Sequence, residues 1–509
     1  MTKETTQQDA EAGFPASSTS LPTMSAATPE ELHIDDAIEL IGNGNFQRRI
    51  LWAAGLSFAA DSMEILLMSL LSVVLQSHWG LQEHHTSTLV SSVFFGSMVG
   101  TLVLGPLADN YGRKPIFRAT SGIIAFFGFM TALCNSFAML LVCRFMVGFG
   151  VGGLIVVFDT LAEFVPNSHR GTDLLAIEYF WTGGTLLVPI LAYFSLGTNS
   201  LDDNDDSIAH GWRWFVVLCA IPCVLSCIFG IIYVPESPRW LLSRGEKGHA
   251  KALEILRYAA QTNGVSPEAF HSGIRLVGGH AEDGSFMDLL KPKWRKTTLL
   301  LWGSWAGFAF TYYGAIIAIT LAFSGGEEEF LDEDEKGNYS FDYGAIFASA
   351  SSEIAGTTLV ILLIDRLGRI PTQTISYLGG GISILLFCYS TAAQASRTVM
   401  MVTAFFARMF FMGGSCSTWV STAEIMTTEI RSTGHSASNA VARLAGSLSP
   451  FLVRSSTGFN TIGVTMMAVS FMTALFVHHL PETNGQRLGE VTTQPETKEQ
   501  ENHDYKTLT

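Results

Sequence analysis

The chain has 509 residues, of which 48% are hydrophobic and only 15% charged, and its mean hydropathy is +0.31. Soluble domains carry about 25% charged residues, so much of this chain never meets water, and a net charge of −15 argues against a nucleic-acid partner. Its seven cysteines (Cys134, Cys143, Cys219, Cys223, Cys227, Cys388 and Cys416) all fall in apolar stretches, which is neither a disulfide framework nor a zinc spacing.

Residues 1–47 are polar, rich early on in Ser, Thr, Pro and acidic residues, and hold no signal-peptide core. They read as a mostly disordered cytoplasmic tail, with a short helix near Ile34–Ile41. Apolar segments near the ~20 residues needed to cross a bilayer then recur. Six are predicted near 51–75, 87–108, 116–135, 137–163, 173–196 and 213–234. After a polar stretch, six more follow near 297–322, 343–364, 372–393, 398–424, 434–456 and 459–480. Cys219, Cys223 and Cys227 share one face of the sixth, where small packing residues are the simpler reading than a metal site. The predicted fold is an all-α membrane protein with twelve transmembrane helices. An N-terminal six-helix bundle (48–234) and a C-terminal one (296–481) flank a central loop (235–295), and a tail (482–509) closes the chain.

Charge sets the predicted orientation. The central loop holds Arg239, Arg244, Lys247, Lys251, Arg257, Arg275, Lys291, Lys293, Arg295 and Lys296. Arg113 and Lys114 follow the second segment, and Arg366 and Arg369 the eighth. Loops on the other side are nearly free of Lys and Arg and carry Asp202 to Asp206 and the acidic run from Glu327 to Glu335. Positive residues stay inside, so both termini and the central loop are expected to be cytoplasmic. The sequon at Asn338 then falls outside, as a glycosylation candidate.

Four patterns occur twice in the same order. G-P-L-A-D-N-Y-G-R-K-P (105–115) returns as I-D-R-L-G-R-I-P (364–371), and R-F-M-V-G-F-G (144–150) as R-M-F-F-M-G-G (408–414). Glu163 with Arg170 returns as Glu424 with Arg431, and V-P-E-S (234–237) as L-P-E-T (480–483). Four echoes in register, each at one predicted depth, indicate duplicated halves related by an axis along the membrane normal.

The D-x-x-G-R-[RK] loop after the second and eighth segments resembles the signature of the major facilitator superfamily. P-E-S-P-R-W-L (235–241) resembles its sugar-porter and organic-ion branches. Within the superfamily, A-D-S-M-E (60–64), A-E-F-V-P (162–166), I-E-Y-F-W (177–181), K-W-R-K-T-T-L-L-L-W (293–302), T-Y-Y-G (311–314) and I-D-R-L-G-R (364–369) resemble the synaptic-vesicle-glycoprotein-2-related group. The likeness spans residues 35–485. It departs from the synaptic vesicle glycoproteins proper, whose luminal domain between helices seven and eight is large; here that loop is short.

Charge at mid-membrane costs about 2.5–3.5 kcal/mol on insertion scales, which singles out a few side chains. Asp61 and Glu64 sit three apart on one face of the first helix, and a low-dielectric cavity can suit a carboxylate to proton exchange near neutral pH. Glu353 and Arg443 also count to mid-depth. Arg443 can hold a substrate carboxylate or pair with Glu353 or Asp61. Trp181, Trp305, Tyr312, Tyr313 and Trp419 are candidate cavity aromatics. The resemblance implies a cytoplasmic gate of Asp109, Arg113, Glu163, Arg170, Glu236, Arg239, Asp365, Arg366, Arg369, Glu424 and Arg431, which latches the halves together when the carrier faces outward. Asp159 lies nearby without an assigned role, and Arg144 and Arg408 begin helices four and ten on the external side.

No phosphate-binding loop, metal-ligand spacing or nucleophile motif is present in the sequence, so neither an enzyme nor a cofactor is expected. The function expected is secondary active transport of a small organic ion or polar metabolite, by proton symport through alternating access. The partners expected are membrane lipid, the substrate and protons, around a monomer. A non-transporting receptor on the same fold and a sugar porter are the competing readings. The plasma membrane or a vesicle membrane is the expected location, and Tyr505-Lys506-Thr507-Leu508 fits a tyrosine-based sorting pattern.

Overall fold

The computed structural model describes residues 30–166, 170–196, 206–271, 273–278, 286–324, 341–426, 428–454 and 456–484. The acidic runs near 202–206 and 327–335, Asn338, the Tyr505 pattern and the side chains of Arg170 and Arg431 lie outside what is described.

The described residues begin at 30, inside the predicted tail. Ile34, Ala37, Ile38 and Ile41 line one face of α1 (Ile34–Ile41) and are buried, as this spacing requires of an amphipathic helix. Just before it, β1 (Glu30–His33) pairs in parallel with β2 (Ile274–Val277) of the central segment, which the sequence did not suggest. That segment also contains α9 (Pro238–Leu242) and α10 (Glu246–Asn263). Asn263 ends α10 and accepts from the Phe46 backbone N–H at 2.9 Å, capping the first membrane helix.

The first bundle contains α2 (Asn45–His78), α3 (Glu83–Tyr111), α4 (Arg113–Ala132), α5 (Phe137–Gly152) continued by α6 (Leu154–Ala162), α7 (Arg170–Leu196) and α8 (Asp206–Tyr233). The second contains α11 (Pro292–Ala322), α12 (Tyr343–Leu367), α13 (Arg369–Ala392), α14 (Arg397–Ile425), α15 (Thr428–Gly446) with the short α16 (Ser449–Leu452), and α17 (Phe459–His478). Among the described residues, eleven of these spans are long and apolar enough to cross a membrane. The remaining one, α15, carries His435, Asn439 and Arg443, which are buried, and it packs on α3 and α11.

Helix contacts repeat between the halves. In the first, α3 packs on α5, α4 on α8, and α2 on α7; in the second, α12 packs on α14, α13 on α17, and α11 on α15. The halves meet along α7 with α12, along α3 with α15, and centrally along α2 with α11. Exchange of the halves converts the first seam into the second, as a pseudo-two-fold axis demands. Small residues permit the tightest crossings. A Cβ on Gly100 would lie 2.0 Å from the Phe149 carbonyl, and one on Gly148 the same distance from that of Val93, so α3 and α5 touch backbone to backbone.

Candidate functional site

Most of the charge buried in the helix interiors resolves into three pairs. Arg144 on α5 contacts Glu64 on α2 at 2.5 Å, and Arg408 on α14 contacts Glu353 on α12 at 2.6 Å. Arg443 on α15 contacts Asp61 on α2 at 2.9 Å. The first two pairs lie within one half, and the third joins the halves across 382 residues of sequence. Arg144 and Arg408 therefore do not mark helix starts; each is 1% exposed and neutralises a carboxylate. Glu353 takes Arg408 as its partner, which leaves Arg443 to Asp61. Helix geometry splits Asp61 and Glu64 between two arginines, despite their shared face.

Aromatic side chains link these pairs. The Trp181 indole donates to the Tyr312 hydroxyl at 2.8 Å, and that hydroxyl donates to Glu353 at 2.9 Å. Thr185, one turn beyond Trp181, donates to the other Glu353 oxygen at 2.9 Å. Glu353 is thus held from both halves. The Arg443 guanidinium stands 5.9 Å from the ring centre of Tyr313. Trp305 and Trp419 form a separate cluster, 5.0 Å apart, with His435 at 4.7 Å from Trp419 and Phe158 at 5.5 Å. The Trp305 indole donates to Thr422 at 2.9 Å.

The predicted gate residues sit at helix ends on the side that carries the central segment. Arg113 contacts Asp109 at 3.1 Å and Glu163 at 3.3 Å. Arg369 contacts Asp365 and Glu424, each at 2.8 Å. Each set lies within one half. Arg366 is exposed and makes no ion pair among the described residues. Arg239 pairs with Asp35, which fastens α9 to α1.

The echoed Pro-Glu motifs have a local purpose. Glu236 accepts the Arg113 and Lys114 backbone N–H groups at 2.7 and 3.2 Å. Glu482 accepts those of Arg369 and Ile370 at 2.9 and 3.0 Å. Each carboxylate caps a helix N-terminus, where orphan donors and the helix dipole favour an anion. The preceding Gly112 and Gly368 adopt φ of +102° and +97°, and a Cβ at either would strike the capping carboxylate at 2.4 or 2.7 Å. On the same side, a cavity of about 380 Å³ opens between α3, α6 and α15, lined by Thr101, Asp109, Arg113, Asp159 and Ser436. Asp159, left without a role by the sequence, faces this cavity.

The model of the "Sugar (and other) transporter" family matches residues 68–494. This chain belongs to that family, within the major facilitator superfamily. Among the relatives of this transporter, the synaptic vesicle 2-related protein of Xenopus laevis is 31% identical over 438 residues, 84% of this chain and 76% of that one. Organic cation/carnitine transporter 7 of Arabidopsis thaliana is 28% identical over 454 residues, 82% of this chain and 87% of that one. The xylose transporter of E. coli in a partially occluded inward-open conformation superposes with a TM-score of 0.67 at 19% identity, covering 87% of this chain and all of that one.

One charged group of this transporter escaped the sequence reading. Glu178 on α7 is 8% exposed, and no hydrogen bond or ion pair reaches its carboxylate among the described residues. It appeared in the sequence only inside I-E-Y-F-W. An acid within the apolar run 173–196 is the same signal that singled out Asp61 and Glu64.

Proposed function

We propose that this transporter moves a small organic ion by alternating access, coupled to protons through Asp61. The observation that carries the proposal is the bond between Asp61 and Arg443 across the two halves. Alternating access rocks one bundle against the other around a central site, and a buried ion pair resists such motion unless one charge is removed or replaced. A proton on Asp61 releases Arg443, frees α2 from α15 and lets the bundles move. Glu64 and Glu353 keep their arginines within their own halves, and the Thr185–Glu353 and Trp181–Tyr312 hydrogen bonds across the seam exchange as the bundles move.

The basic central segment argues for cytoplasmic termini by the positive-inside rule. The 380 Å³ cavity then opens to the cytoplasm. On the opposite face, Ser87 donates to the Pro450 carbonyl at 2.9 Å and Ser91 to that of Ser447 at 2.7 Å, which holds α3 against the second half. This arrangement fits an inward-facing state. The outward-facing state would bring the Asp109–Arg113 and Asp365–Arg369 sets of the two halves together as a latch. The transporter works as a monomer in the plasma or a vesicle membrane.

The motif that suggested a sugar porter has a structural task here. In P-E-S-P-R-W-L, Glu236 caps α4, the Ser237 hydroxyl accepts the Trp240 N–H at 3.1 Å, and the Trp240 indole donates to the Asp109 carbonyl at 2.8 Å. The motif fastens the bundle and carries no information about cargo. The relative named organic cation/carnitine transporter 7 favours an organic ion.

The deciding experiment places purified protein in liposomes loaded with a pH-sensitive dye and adds pools of organic cations, organic acids and sugars. A pool-dependent pH change that disappears in Asp61→Asn is expected. The absence of any pH change with folded protein would remove proton coupling for those substrates.

A further inference from the structure

The charged side chains buried in the helix interiors do not balance. Among the described residues they are Asp61, Glu64, Glu178 and Glu353 against Arg144, Arg408 and Arg443. The other buried arginine, Arg113, starts α4 and serves Asp109 and Glu163 at the helix ends. Three acids take the three interior arginines, and Glu178 is the acid left over. An uncompensated charge in a low-dielectric interior is strongly unfavourable, so Glu178 is ionised here only beside a fourth positive charge and otherwise holds a proton.

The surroundings of Glu178 suit a cation with an apolar body. Glu178 lies three residues before Trp181, on the same face of α7. Tyr313 on α11, Cys416 on α14 and Glu353 on α12 are within its electrostatic reach. Trp181, Tyr312 and Tyr313 form one aromatic cluster: the Trp181 and Tyr312 centroids are 6.3 Å apart and those of Tyr312 and Tyr313 5.5 Å. Ring faces attract cations, most strongly where water is excluded. The other polar groups here are committed, since the Tyr312 hydroxyl donates to Glu353 and the Trp181 indole donates to Tyr312. Glu178 keeps both oxygens.

We propose that Glu178 is the counter-charge for the cationic group of the substrate, held against Trp181, Tyr312 and Tyr313, so that the transported organic ion is a cation. This rests on the transport reading above and names the substrate class. The position also suits the task. Glu178 belongs to the first half, while Tyr313 and Glu353 belong to the second, so a cation between them contacts both halves at once.

The test separates binding from transport. Intrinsic tryptophan fluorescence of the purified protein is titrated with benzyltrimethylammonium, with benzyl alcohol as the neutral counterpart and with benzoate as the anion. A saturable change is expected with the cation alone. Glu178→Gln should weaken it by about tenfold or more, one charge contact being worth at least that factor, and Glu178→Asp should keep most of it. No saturable response to the cation, a saturable response to benzoate, or an unchanged affinity in a monodisperse Glu178→Gln protein would overturn the assignment. The liposome pH assay reports separately on transport: its failure with cation binding intact removes the carrier reading and leaves the cation site standing.

Discussion

Arg144 and Arg408 occupy equivalent places in the two halves, yet each takes its carboxylate from a different helix of its bundle. Arg144 binds Glu64 of α2, the first helix of its half, while Arg408 binds Glu353 of α12, the second helix of its half. The two arginines share their burial and differ in which helix supplies the acid. That difference leaves the first helix of the second half without a carboxylate and places Glu353 against Thr185 of the opposite half, with Tyr312 linking it to Trp181.

Because Glu353 is fully buried, its arginine is required. Arg408→Ala is expected to destabilise the protein by about 3–5 kcal/mol, the cost of leaving a buried charge without its partner. Removing both charges in Arg408→Met with Glu353→Gln should recover most of that loss. Thermal unfolding in detergent, arranged as a double-mutant cycle, measures the coupling.

For the Asp61–Arg443 bridge, stability and transport should separate. Arg443→Gln alone strands Asp61 and lowers the melting temperature, whereas Arg443→Gln with Asp61→Asn restores it. Neither the single nor the double variant should support proton flux above about a tenth of wild type, because the titrating charge or its partner is gone. The liposome pH assay checks this, and near-normal flux in the double variant would remove the bridge from the mechanism.

Two glycines give opposite expectations. Gly100→Ala puts a Cβ 2.0 Å from the Phe149 carbonyl and must push α3 away from α5, costing about 1–3 kcal/mol. Gly122→Ala, with nothing within 4 Å of its Cβ, should be neutral or stabilise α4 by up to about 1 kcal/mol. Melting temperatures of the two variants in one detergent decide between them.

Glu482 predicts an acid-sensitive helix cap. Burial opposes its charge, but the backbone N–H groups of Arg369, Ile370, Asn484 and Thr483 outweigh burial and hold its carboxyl below the usual glutamate range. A lowered folded value means that the cap stabilises the protein above the ordinary glutamate range. That contribution is lost as pH falls through the folded value. Between those two limits, the melting temperature of wild type should fall more steeply with acidification than that of Glu482→Gln, and parallel curves would show that the cap contributes nothing.

The glutamates of the two Pro-Glu motifs, which the sequence assigned to gating or left as an echo, show how far pattern reading reaches. Their recurrence marked the duplication, but their duty as caps appeared only when α4 and α13 were seen to begin beneath them. The predicted tail likewise held a legible amphipathic face at Ile34, Ala37, Ile38 and Ile41. Its strand partner, more than two hundred residues away at Ile274–Val277, left no local sign.

By itself the sequence determined the number and placement of the membrane helices, the duplication and the family, because crossing a bilayer demands apolar runs of a set length and repeats leave recurring short motifs. It also flagged Asp61, Glu64, Glu353 and Arg443, since charge in an apolar run is conspicuous. Only the tertiary structure decided which charges neutralise one another, and hence that Glu178 is left over. Ion pairing depends on which helix faces meet in space, and Asp61 meets Arg443 across 382 residues of chain, a contact fixed by packing rather than by any local pattern.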